Sequence, residues 1–137
     1  FKNFSLLCPN EREARIALHE KDLDLESLSN KIMQDTFSKR LIMKLGPQGF
    51  IAYDHEKNNN LIQAFPTLSS NPIDVTGAGD SLLAVMAVGL SSSQKMMTTA
   101  AIACCMASMS VERMGNTPIK RDEIRNYLNE KFININF

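Results

Sequence analysis

Asp74-Val-Thr-Gly-Ala-Gly-Asp80 sets two glycines, an alanine and a closing acid in one turn, and the apolar stretch Ser81-Leu-Leu-Ala-Val-Met-Ala-Val-Gly-Leu90 follows at once. The second stretch reads as a buried helix. A glycine-rich turn that opens a helix points several unpaired backbone N–H groups the same way, at the positive end of the helix dipole. Such a turn suits an anion, and phosphate is the usual occupant. Asp80 is out of place in a simple anion cradle, because a carboxylate repels phosphate. It fits if it takes a proton from a hydroxyl that attacks a phosphate held by the amides. The plainer alternative is a tight turn with Asp80 as an ordinary helix-start residue, and short glycine motifs often arise without function.

Upstream, Pro66 to Pro72 is a loop of Ser, Thr and Pro, and Leu61-Ile-Gln-Ala-Phe65 before it reads as a strand. Asp54 to Asn60 is a polar turn with no assigned role. Arg40-Leu-Ile-Met-Lys-Leu45 and Phe50-Ile-Ala-Tyr53 are strands flanking Gly46-Pro-Gln-Gly49, a β-hairpin whose turn needs glycine for backbone reasons. Asp24 to Thr36 is a helix with Leu25, Leu28, Ile32 and Met33 on one stripe. An earlier helix runs from Glu11 to about Glu20, with Ala14, Ala17 and Leu18 on one side. Phe4 to Cys8 is a short buried strand stopped by Pro9-Asn10. Asn10 and Glu13 are spaced as the N-cap and third residue of a capping box.

Downstream, Ser91-Ser-Ser93 punctuates, and a long helix runs from Gln94 to about Arg113, ending with Gly115 as its C-cap. Its run Ala100 to Met109 is dense in small residues, which suits close packing of helix on sheet. Arg121 to Lys131 is an amphipathic helix with Ile124, Tyr127 and Leu128 inward. Phe132-Ile-Asn-Ile-Asn-Phe137 alternates as a short strand or a frayed tail.

The 137 residues suffice for one domain with a real core. Fifteen basic residues balance fifteen acidic ones, so nothing favours a nucleic-acid or membrane-surface partner. No apolar run reaches spanning length, and the N-terminus carries no signal-peptide pattern. Cys8 and the neighbours Cys104-Cys105 make an odd count, two of them inside an apolar helical run, which argues for reduced thiols and a cytoplasmic home. His19 and His55 form no zinc spacing and are expected at the surface. The chain opens Phe1-Lys2 without an initiator Met, and is expected to be processed or cut from something longer.

The turn and the small-residue helix after it resemble the C-terminal signature of the ribokinase-like (PfkB) carbohydrate kinases. Asn10/Glu13, Gly46/Gly49, Asp74 to Asp80 and the helix ending near Gly115 occur in the family's order, over about Phe4 to Leu128. The resemblance implies an α/β fold, the C-terminal half of an α/β/α sandwich with a central, mostly parallel sheet and a β-hairpin. The βα, hairpin, αα alternation suits that half. Ser110-Val-Glu-Arg-Met-Gly-Asn-Thr-Pro118 is most similar to the heptose-phosphate kinase branch. Two departures stand out: Val85 replaces the usual Gly or Ala, and Lys44 replaces the usual Thr of Thr-x-Gly-x-x-Gly.

What the resemblance implies for the site is specific. Asp80 is the catalytic base, and the Gly77, Ala78 and Gly79 amides form the anion hole for the transferred phosphoryl group. Lys44, Gly46, Gly49 and Thr76 line the nucleotide, with lysine meeting phosphate as a point charge rather than a hydroxyl donor. The Gln94 to Arg113 helix walls the purine pocket, with Cys104 and Ser108 nearest by helical spacing. Asn10 and Glu13 organise the water shell of a magnesium ion, a role compatible with the capping box. Asp74 is a candidate monovalent-cation (potassium) site. ATP and magnesium are then the cofactors, and a sugar or sugar phosphate the partner.

Two rivals remain in view. A dinucleotide fingerprint starting at Gly77 fails, because Leu82 holds the third glycine position and no acidic strand end follows about 20 residues on; a P-loop is absent. A non-catalytic nucleotide-binding or interaction module is opposed by the presence of Asp80. Family members carry a comparable length upstream with the sugar-binding residues and lid. The chain is therefore expected to be a partial domain, inactive alone and prone to self-association through an exposed sheet edge or apolar face.

Overall fold

The computed structural model describes residues 2–55, 60–115 and 117–133. The terminal run 134–137, positions 56–59 of the polar turn and Asn116 lie outside them. Two compact units divide the chain, Phe1–Pro66 and Thr67–Phe137.

In the first unit, helices α1 (Glu11–Leu18) and α2 (Leu25–Thr36) precede strands β1 (Arg40–Lys44), β2 (Phe50–Asp54) and β3 (Leu61–Phe65). The strands form one sheet in the order β1-β2-β3 with both pairs antiparallel. Alternation decides which side chains go where. Leu41, Met43 and Tyr53 join Ala14, Leu28, Ile32 and Met33 in one apolar cluster, while Ile42, Phe50 and Ala52, on the opposite face, are buried as well. Phe50 and Phe65 stand in register and stack with centroids 5.1 Å apart. The expected α2 stripe holds, with Leu28 wholly buried; truncating a buried leucine to alanine costs about 2–5 kcal/mol.

Several expectations need correction here. Phe4 to Cys8 is not a buried strand: Phe4 is exposed, and among the described residues the segment bridges β1 in parallel at Leu7↔Leu41, with a second bridge just beyond it at Asn10↔Lys44. Among the described residues, those bridges are all that represents the mostly parallel sheet. Ala17 is exposed, because a two-turn helix presents only Ala14 squarely to the sheet. His55 is half-buried beside Tyr53, and its Nε2 has no hydrogen-bond partner among the described residues. The expected hairpin of β1 and β2 is formed, and its turn contains a 3₁₀ segment, Gly46–Gln48.

In the second unit, α3 (Ala78–Ser91), α4 (Met96–Val111) and α5 (Arg121–Leu128) follow the loop after Thr67, and a π-helical turn, Asn129–Ile133, extends α5. Helix α3 begins three residues before the expected Ser81, and it is not buried all round: Leu82 and Met86 are inside, while Leu83 and Val88 face out at 47% and 67% exposure. Helix α4 is the central element of this unit, with Thr99, Ala100, Ala103, Cys104, Cys105, Ser108 and Met109 buried. Gly89 on α3 explains part of this closeness, since a Cβ there would lie 2.3 Å from Thr99 Cγ2. The C-cap of α4 is Glu112 rather than Gly115. Ile124, Tyr127 and Leu128 on α5 are partly buried, as their spacing predicts.

Candidate active site

Gly77 is the N-cap of α3 at φ 81°, ψ −4°, a left-handed conformation that a side chain makes costly. The next three residues, Ala78, Gly79 and Asp80, are the first of the helix, so their N–H groups have no carbonyl one turn behind. Ser81 N–H makes the first helical bond, to the Gly77 carbonyl at 2.9 Å. Ala78 N–H lies at the long limit, 3.5 Å from the Val75 carbonyl. The N–H groups of Gly77, Gly79 and Asp80 have no acceptor among the described residues. The Asp80 carboxylate stands on the same turn, exposed, with no hydrogen bond or ion pair among them. A cluster of donors and a free proton acceptor therefore share one helical turn.

The approach to this turn is fixed by the segment that ends α4. Ile73 and Asp74 both donate their N–H to the Val111 carbonyl, at 2.7 and 3.0 Å. Asp74 Oδ1 accepts the Thr76 N–H at 2.9 Å, and Oδ2 accepts the Gly115 N–H at 3.3 Å. These bonds, Thr76's first, hold the Asp74 carboxyl below the usual carboxylate range. A monovalent cation at Asp74 would share oxygens that backbone N–H groups already occupy. Just past the turn, Ser81 Oγ and Ser110 Oγ are 2.9 Å apart. Neither serine is marked by the glycine motif; the only sequence sign is a hydroxyl placed in each of two apolar helices.

Ser108 is buried, and its hydroxyl accepts the Leu68 N–H at 3.2 Å, tethering the loop that leads into the turn. Cys104 is buried too, and burial, aided by Cys105, pushes its thiol up to about 11. Both sit on α4, each turned into the packing of the unit.

In the first unit, Asn10, Glu13 and Lys44 come together. Asn10 Oδ1 accepts the Glu13 N–H and Glu13 Oε2 accepts the Asn10 N–H, both at 2.7 Å, so the capping box is formed. Lys44 Nζ lies 3.9 Å from the same Glu13 oxygen, and Lys44 N–H bonds the Pro9 carbonyl at 2.9 Å. Glu13 Oε1 has no partner among the described residues, which suits an oxygen that meets a metal-bound water. Gly46 and Gly49 both have positive φ, 60° and 92°. Gly49 has a purely structural reason: a Cβ there would lie 2.0 Å from the Phe65 carbonyl oxygen. Nothing crowds Gly46. Among the described residues, no group of three or more His, Cys, Asp or Glu gathers to hold a metal by itself, and no helix is long and apolar enough to cross a membrane.

Residues 2–122 match the pfkB family carbohydrate kinases. The chain is 30% identical over 135 residues to the bifunctional protein HldE of Campylobacter jejuni strain RM1221, covering 96% of this chain and 28% of that protein. It is also 30% identical to the HldE of Pelobacter propionicus, over 92% of this chain and 26% of the relative. It thus spans less than a third of the length of these relatives. Among solved structures, ribokinase from Thermotoga maritima superposes with a TM-score of 0.76 at 28% identity, over 91% of this chain and 42% of that one. Phosphofructokinase-2 from Escherichia coli, solved with potassium, gives 0.79 at 19% identity, over 94% and 41%. The fold is accordingly ribokinase-like, and the chain belongs to the pfkB family of carbohydrate kinases.

Proposed function

We propose that this chain is the nucleotide-binding and catalytic-base half of an ATP-dependent kinase that phosphorylates a hydroxyl of a sugar or sugar phosphate. The observation that carries the proposal is the first turn of α3, where N–H groups of Gly77 and Gly79 without a partner among the described residues stand beside the exposed Asp80 carboxylate, likewise unpaired among them. Asp80 would take the proton from the acceptor hydroxyl, whose oxygen would bond the γ-phosphorus in line as the bond from that phosphorus to the departing ADP oxygen breaks. The amides of Gly77, Ala78 and Gly79 receive charge that develops on the equatorial oxygens. Removing one well-aimed donor of this kind typically costs about 2.7–4 kcal/mol of barrier.

Lys44, Gly46, Gly49 and Thr76 are assigned to the nucleotide phosphates, and Cys104 and Ser108 to the wall behind the base. Asn10 and Glu13 would hold magnesium through its waters, and that ion would neutralise phosphate charge. The branch that Ser110–Pro118 resembles makes a heptose phosphate the first acceptor to try, and the cytoplasm is the compartment that supplies ATP. Self-association of the isolated chain is part of the proposal, supported by the exposure of Leu61 and Ile62 on β3 and of Leu83 and Val88 on α3.

The deciding experiment is Asp80→Asn in the complete protein. Nucleotide affinity is expected to persist while turnover falls by about 10²–10⁴, the range of a lost general base. Undiminished turnover would remove Asp80 as the base. A non-catalytic nucleotide-binding module would instead show calorimetric ATP binding with no turnover in the unmutated protein.

A further inference from the structure

We infer that Ser110, through its hydroxyl bond to Ser81, is a positioning residue for the anion-binding turn, and that the end of α4 is the template on which that turn is held. The inference rests on the kinase function proposed for the turn and names what fixes its geometry.

The turn has little stiffness of its own. Gly77 and Gly79 admit many conformations, and no hydrogen bond within the described residues restrains their N–H groups. Donors that stabilise developing charge do so only when already aimed, because reorienting them during the reaction cancels the gain. Their aim must come from the flanks, and both flanks are gripped by three residues of one short segment, Ser110, Val111 and Gly115. On the entry side, the Val111 carbonyl takes the Ile73 and Asp74 N–H groups, and the Gly115 N–H is held by Asp74 Oδ2. On the exit side, Ser110 Oγ meets Ser81 Oγ at 2.9 Å.

The exit contact is the one that matters for the base. Ser81 directly follows Asp80, and its own N–H closes the first helical bond onto Gly77. Anchoring the Ser81 side chain fixes how the first turn of α3 is rotated about the helix axis, and hence where Asp80 and the Gly79 amide point. The neighbours Leu82, Met109 and Val111 are buried apolar groups. Burial of apolar groups is indifferent to a small rotation, which a directional hydroxyl pair is not.

Glycine-selective ¹⁵N labelling of the complete protein tests this, since Gly77 and Gly79 report the turn directly. Ser110→Ala is expected to lower the order parameters of both glycines without ligand, and to weaken their shift response to the ATP analogue AMP-PNP with Mg²⁺ by about fivefold, the equivalent of one neutral hydrogen bond. Ser110→Thr, which keeps the hydroxyl, is expected to restore both. Ser81→Ala removes the same bond from the other side and should reproduce Ser110→Ala, so a folding defect in one variant does not decide the question. Unchanged glycine order and response in both alanine variants would overturn the inference alone, as would a threonine variant that behaves like alanine. Gly77 and Gly79 signals that ignore Mg²⁺–AMP-PNP in the unmutated protein would instead remove the anion role, and the inference with it.

Discussion

Asp74 Oδ2 accepts the N–H of Gly115 at 3.3 Å, joining the start of the glycine turn to a segment 41 residues further along the chain. With Oδ1 on the Thr76 N–H, the carboxylate serves two loops at once. Its folded pKa is depressed, by Thr76 first and Gly115 after, so its contribution is fully present above the unfolded aspartate value of about 3.9 and is lost as pH falls through the folded value. The Gly115 amide resonance is therefore expected to titrate below about pH 4, and Asp74→Asn to abolish that titration. Asp24 and Glu123 are depressed as well, so the variant should flatten only part of the acid limb of a thermal-melting series. A Gly115 resonance that titrates identically in Asp74→Asn would show that the bond does not form.

Gly49 and Gly46 share a positive φ and a sequence motif but differ in surroundings. A Cβ at Gly49 would sit 2.0 Å from backbone oxygen at Phe65, which cannot swing aside as a side chain can. Gly49→Ala is expected to cost about 3 kcal/mol, combining steric clash with strain. Gly46→Ala faces open space and only the left-handed penalty, about 1 kcal/mol. Urea unfolding of the two variants checks this, and equal costs would contradict the crowding at Gly49.

Much of this was legible in the residues because it depends on local pattern. The α2 stripe at Leu25, Leu28, Ile32 and Met33, the hairpin at Gly46–Gly49 and the turn at Gly77 all follow from periodicity or from backbone freedom. What escaped depends on where distant segments meet. Ser81 and Ser110 pair across 29 residues, and no spacing rule links one hydroxyl in one helix to another in the next. Gly115 looks like a helix terminator, yet α4 stops at Val111, and the glycine's N–H goes to Asp74 instead. His55 reads as superficial in a polar stretch, but its N–H bonds the Lys39 carbonyl at 2.9 Å, which ties it to the start of β1, and its ring meets Tyr53 edge-on.

Among the described residues, none of the three cysteines is in a disulfide. Burial raises Cys8 and Cys104 to about 11 and raises Cys105 too, leaving each protonated at neutral pH. Since the thiolate is the reactive form, a thiol reagent such as dithiobis-nitrobenzoate at pH 7.5 is expected to titrate almost no sulfur in the native chain and all three in urea. One fast-reacting thiol in the native state would place that cysteine nearer to solvent than its burial indicates.

Glu13 is where the structural and functional roles of the first unit can be separated. Its carboxylate closes the capping box with Asn10, and a capping box needs only an oxygen acceptor at that position. Glutamine supplies one, so Glu13→Gln is expected to leave stability within about 0.5 kcal/mol, whereas Asn10→Ala should cost about 1 kcal/mol through loss of the cap. Organising a magnesium water shell needs more than an acceptor: it needs the negative charge that glutamine lacks. If Glu13 acts only as a cap, magnesium will tighten ATP binding to Glu13→Gln as much as it does to the unmutated protein. If it also serves the metal, the variant will keep its melting temperature while magnesium no longer tightens ATP binding in calorimetry. A variant that loses stability and magnesium response together would mean that glutamine fails to replace the cap, and the comparison would then pass to Glu13→Asp, which retains charge but shortens the reach to the Asn10 N–H.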